Sequence, residues 1–121
     1  MSPTVSPPPE AIKLKARLTG KALRGAASAV LRVTGSEVCW RFRGLGRLHS
    51  PTRAAIRAGA PDRTGPLVVA LGRRYRAQDC VTTNVGNVDL LEAHPDWFYV
   101  AVSTARHPLA AVRGQLKHNG D

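Results

Sequence analysis

Apolar and polar residues alternate with a period of two along most of this chain. Ile12, Leu14, Ala16 and Leu18 are interleaved with Lys13, Lys15 and Arg17, the pattern of a strand with one buried and one solvated face. Thr19-Gly20 ends it. Ala26 to Val33 predicts a second strand with Ala27, Ala29, Leu31 and Val33 on one face, and Thr34-Gly35-Ser36 predicts a turn. From Glu37 to Phe42, Val38, Trp40 and Phe42 point inward while Cys39, Arg41 and Arg43 point outward. Ala54 to Arg57 reads as a short strand, Leu67 to Leu71 as a buried one, and Gln78 to Thr82 as a strand of weaker pattern. Phe98 to Val102 and Ala110 to Leu116 close the series. Helix competes at one place, residues 87–94, where Val88, Leu90 and Leu91 share a face, Asn87 caps and Pro95 terminates. Eight short strands with one short late helix predict an all-β sandwich or Greek-key barrel.

The residues outside this pattern set the organisation. Residues 1–10 hold four of the nine prolines and read as an extended tail or linker. The β domain spans 11–117, followed by a short flexible C-terminus, 118–121. A chain of 121 residues fits one domain. Hydrophobic residues make up 43%, which excludes a disordered chain, and no apolar run is long enough for a spanning helix. No basic segment followed by an apolar one marks a signal peptide, so the protein is expected in the cytoplasm if Met1 is its native start.

Charge adds a candidate surface. Lys and Arg total 18 against 8 acids, a net +10, which attracts polyanions. Fourteen of the cations are arginines and Ala is abundant, a bias that GC-rich coding also produces. No block of five cations occurs; Arg73, Arg74 and Arg76 around Tyr75 form the densest cluster. The best anion-binding face is the outward side of the first strand, where Lys13, Lys15 and Arg17 recur about 6.5–7 Å apart. Arg41 and Arg43 extend it if the two strands share a sheet. The bland alternative is a solvated face whose lysines discourage edge-to-edge pairing.

Catalytic chemistry finds little support. His49, His94, His107 and His118 have no spacing that places two on one metal and read as solvated surface residues. No Gly-x-Ser-x-Gly elbow surrounds Ser28, Ser36, Ser50 or Ser103. His107 lies close to Ser103 in sequence, but no third triad member is evident. Asp89 and Glu92 read as the wet face of the helix; Trp40, Phe42, Trp97, Phe98 and Tyr99 read as core and rim. Arg113 is suited to gripping a carboxylate, although an outward strand Arg more often covers apolar surface or pairs nearby. The expectation is a non-enzyme without a cofactor.

Four segments in order carry a resemblance: Ala54-Ala55-Ile56-Arg57-Ala58-Gly59, Gly65-Pro66-Leu67-Val68-Val69, Tyr99-Val100-Ala101-Val102-Ser103-Thr104 and Val112-Arg113-Gly114-Gln115-Leu116, with Leu18-Thr19-Gly20 near the start. Together they resemble the CHRD (chordin-type) domain over roughly Ile12 to Leu116. The resemblance implies an immunoglobulin-like β-barrel, export from the cytoplasm and no general enzymatic activity. The function expected from it is an interaction or structural module with an unknown protein partner. The alternative is a basic module for an anionic polymer, nucleic acid or acidic glycan.

This chain departs from the family pattern at three positions. The family's Ala-His-Ile-His-x-Gly and Tyr-Val-Asn-Val-His-Thr place histidines where this sequence has Ala55, Arg57 and Ser103. Two His one residue apart point the same way, and a third on a neighbouring strand would complete a metal site. A divergent, bacterial-type member without these histidines is expected to hold no metal there. Similar bacterial members carry cysteines near Cys39 and Cys80, so export implies a disulfide between them; a reducing cytosol would leave two thiols.

Overall fold

The computed structural model describes residues 11–119, except Ala22, Arg24, Ala26, Arg47 and His49. The proline-rich segment, His49 and the last two residues lie outside the described residues. The elements are β1 (Ile12–Leu18), β2 (Ala27–Thr34), β3 (Glu37–Arg43), β4 (Pro51–Ala58), β5 (Leu67–Ala70), β6 (Gln78–Thr82), α1 (Val85–Ala93), a single 3-10 turn (Pro95–Trp97), β7 (Phe98–Thr104) and β8 (Val112–His118). All eight strands join one antiparallel sheet in the order β5-β4-β7-β8-β1-β2-β3-β6. The sheet curls around one core to which strands from both ends contribute. It is the all-β architecture that alternation predicts, with β5 and β6 as its edges. Among the described residues no helix is long and apolar enough to cross a membrane.

Burial follows the alternation. Leu14, Ala16 and Leu18 of β1, Ala29, Leu31 and Val33 of β2, and Val38, Trp40 and Phe42 of β3 all face the core. Each fully enclosed Leu contributes roughly 1.5–3 kcal/mol over an exposed one. Gly35, at φ 59°, occupies the first loop position of the β2–β3 hairpin. A two-residue loop needs positive φ there to match the strand twist.

Two ends of the curled sheet are strapped together by residues 71–77. Leu71 and Tyr75 donate their backbone N–H groups to Ala54 and Thr52 of β4. A few residues on, Ala77 accepts from the Phe42 N–H and Arg76 from the Trp40 indole, 2.9 Å. Tyr75 also packs on Phe42 with ring centroids 5.6 Å apart, and its burial pushes the hydroxyl pKa above the ordinary value.

Three local expectations need correction. Leu67–Leu71 is not a buried strand: β5 is an edge, Leu67 is 54% exposed, and only Val69 and Leu71 are buried, with Val68 partly packed against the core. The helix starts earlier, because the Asn84 side chain caps it by accepting from the Asn87 N–H at 2.8 Å. Asn87 instead donates its side-chain amide to Thr83 and Val68. Leu90 is exposed while Val88 and Leu91 enter the core. Strands β4 and β7 also run longer than the apolar pattern, and β8 is displaced by two residues, running Val112–His118 in place of Ala110–Leu116, so that it ends on the first residue assigned to the flexible terminus.

Candidate functional site

The outer face of β8-β1-β2-β3 collects the cations singled out in the sequence. Antiparallel register places Lys117 beside Lys15, Lys15 beside Val30, and Val30 beside Arg41. The next row reads Lys13, Arg32, Cys39, and the row on the other side Arg17, Ser28, Arg43. Strands about 4.8 Å apart and residues about 7 Å apart along a strand make this a regular lattice of positive charge. Arg41 is oriented by donating its Nε–H to Gln78 Oε1 at 3.2 Å. Ser28 and Val30, the short side chains of the middle strand, leave a trough of about 840 Å³ between Arg32, Arg41 and Arg43.

The lattice is largely unneutralised. Among the described residues the salt bridge is Arg76–Asp79, 3.6 Å, outside these rows. Among the described residues two carboxylates border the face: Asp79 at the rim of the trough and Glu37 at the end of β3, its Oε1 3.5 Å from Cys39 Sγ. Arg32 and Lys117 belong to the face but escape a reading confined to the first and third strands. Their signal is there in retrospect, since Arg32 alternates with buried Leu31 and Val33, yet only register shows that all four strands present one surface.

Cys39 and Cys80 are bonded. Backbone bonds Phe42 N–H to Ala77 O and Thr83 N–H to Ser36 O fix the hydrogen-bonded pairs of β3–β6. By alternation Cys39 and Cys80 face each other at a non-hydrogen-bonded pair, where opposed side chains come closest. Their Cα atoms are 3.9 Å apart. Glu37, Cys39 and Cys80 are also grouped closely enough to share a cation, but both sulfurs are engaged in the bridge.

On the other half of the sheet, the family positions serve several ends. Arg57 Nη1 donates to Gly65 O at 2.9 Å. Arg113 donates to Pro61 O at 3.2 Å and to Thr64 Oγ1 at 3.1 Å. The Tyr99 hydroxyl accepts from the Gly65 N–H and donates to Arg63 O, both at 2.8 Å. These three side chains clamp the loop 59–66 onto the outer face, which is why Tyr99 is buried although its neighbours Phe98 and Val100 face the core. Arg113 is thus bound within its own chain. Tyr99→Phe is expected to cost about 1–2 kcal/mol by stranding the Gly65 N–H, read as a lower urea midpoint and faster proteolysis within 59–66; an unchanged midpoint would mean the clamp carries no stability.

Ala55 and Arg57 lie on β4 and Ser103 on β7, and all three line one depression. The Ser103 hydroxyl approaches Leu109 O at 3.4 Å, and His107 meets Thr104 through backbone bonds at the strand end. His94 stacks on Trp97 with centroids 3.8 Å apart, and His118 Nε2 is 2.7 Å from Glu92 O.

Leu-Thr-Gly and Arg-Gly-Gln-Leu, the motifs that carry the resemblance, meet in space. Thr19 and Arg113 exchange backbone hydrogen bonds at 3.0 and 2.9 Å. A family model, the CHRD domain, matches residues 14–116, and the chain belongs to that family. No curated protein and no solved structure matches it significantly.

Proposed function

We propose that this CHRD domain is a non-enzymatic interaction module, working outside the cytoplasm, that holds an acidic polysaccharide across the outer face of β8-β1-β2-β3. The observation that carries this reading is the register that sets Lys13, Lys15, Arg17, Arg32, Arg41, Arg43 and Lys117 in adjoining rows. Such a lattice suits a repeating anion better than a single one, because each row adds a contact without demanding base-like shape. The trough along β2 gives a chain of sugar rings somewhere to lie. Export is supported by family membership and by the disulfide, since such bridges persist in oxidising compartments. Outside the cytoplasm, acidic glycans are a prevalent polyanion class.

Binding of a sulfated polysaccharide to the protein is expected to weaken linearly in log affinity against log salt, as counterion release requires. Lys15→Gln and Arg41→Gln should each lower affinity roughly fivefold at 50 mM salt, taking about 1 kcal/mol per cation at an anionic surface. A flat salt titration, or variants that bind as the parent does, would remove the proposal. Tighter binding to duplex DNA than to the polysaccharide at equal salt would assign the face to nucleic acid instead.

A further inference from the structure

The second depression lies mainly on the β4–β7 half of the sheet, reaching Val81 and Thr82 of β6, and its lining differs from that of the basic lattice. It measures about 690 Å³ and is bordered by Arg53 and Arg57 of β4 and by Arg73 of the strap. Of the three depressions described, the trough includes Asp79 and another, beside β8, includes Asp62. Among the described residues this one contains no Asp or Glu, and none of its arginines forms a salt bridge. Arg57 spends one N–H on Gly65, which leaves four of the five donors of a guanidinium.

Its floor is small and apolar. Ala55 of β4 pairs with Ala101 of β7, and Ser103 stands beside Arg53. Leu67 of β5 and Val81 of β6 contribute apolar walls. A volume of this size suits one small molecule, and guanidinium forks match a planar two-oxygen acceptor. We infer that this depression binds a small organic carboxylate, its oxyanion held by Arg53, Arg57 and Arg73 and its apolar body resting on Ala55 and Leu67. A bare inorganic anion would leave that floor uncovered, and a neutral molecule would leave the arginines without a partner. The inference does not depend on the polysaccharide reading, because it uses other residues on another part of the sheet.

The test is a titration of the ¹⁵N-labelled protein followed by NMR, with benzoate, benzyl alcohol and inorganic phosphate as separate probes. Benzoate is expected to shift the amides of Ala55, Ala101, Ser103 and Thr82 saturably, with benzyl alcohol leaving them in place. Arg53→Gln and Arg73→Gln, both at exposed positions, should each weaken benzoate roughly tenfold, the loss of one charge-assisted contact. Ala55→Leu, which fills the floor and keeps the charges, should abolish benzoate binding. The inference fails if phosphate moves the same amides as strongly as benzoate, if the arginine variants bind unchanged, or if benzoate shifts only the Lys13–Arg43 face. Because the polysaccharide assay uses neither these probes nor these variants, either proposal can fail alone.

Discussion

A chain carrying Cys39→Ser and Cys80→Ser is expected to unfold with about 4 kcal/mol less free energy than the bridged protein. The cysteines are 41 residues apart, so the bridge closes a long loop in the unfolded chain, and restricting that loop is the larger part of its stabilising effect. The native state tolerates the bond because the partners oppose each other at a non-hydrogen-bonded pair, where Cβ atoms already converge. Strand β6 has the most to lose. It pairs with β3 alone, lies at the sheet edge, and of its five residues only Val81 is more than marginally covered. Without the bridge, amide exchange in 78–82 should accelerate ahead of exchange in β1, β2 and β8. Urea unfolding of parent and variant, each with and without a dithiol reductant, measures the effect. A loss below about 1 kcal/mol would show that β6 is held by its ladder and that the covalent link is incidental. Since Cys80 is exposed, reductant should bring the parent close to the variant without prior unfolding.

The sequence makes the inward residues readable and leaves their neighbours obscure. Alternation identifies Leu14, Leu31, Val38 and Trp40 as core because the side-chain period of a strand is two wherever it sits. It cannot say that β1 lies between β8 and β2, since that depends on which ribbons meet when the sheet curls. The cationic face illustrates the gap. Lys13, Lys15 and Arg17 are legible as a row, but their union with Arg41 and Arg43 runs through β2, and Arg32 joins them only once Lys13 is known to oppose it. The Leu67–Leu71 run misleads for a related reason: continuous hydrophobicity indicates two covered faces, whereas β5 ends the sheet and leaves Leu67 in solvent. Asn84 and Asn87 are chemically equivalent caps three residues apart, and the choice between them is made by Thr83 and Val68 engaging Asn87. Contacts across long separations, such as Tyr99 to Arg63 and Arg113 to Pro61, leave no local trace at all.

Gly114→Val is expected to be strongly damaging, lowering stability by about 3 kcal/mol. Glycine inside a strand forfeits packing and favours the unfolded chain, so a close approach must account for it. Here β8 passes β1 so tightly that a Cβ on Gly114 would collide with the Arg17 carbonyl oxygen, sit 2.8 Å from its carbon and press on Leu18 Cδ2 at 3.0 Å. The obstacle is backbone, which cannot rotate aside as a side-chain tip can. Gly20, across the Thr19–Arg113 bridge, meets the Ala111 carbonyl in the same way. The glycines of Leu-Thr-Gly and Arg-Gly-Gln-Leu therefore mark one seam, where the two halves of the sheet are sewn together between β1 and β8. Gly114→Ala and Gly20→Ala should each lower the urea midpoint strongly, whereas Gly46→Ala, with open space around it, should leave it unchanged or raise it slightly. If the Gly114 and Gly46 variants unfold alike, the seam is not where β1 and β8 make their closest approach, and the motif needs an explanation other than packing.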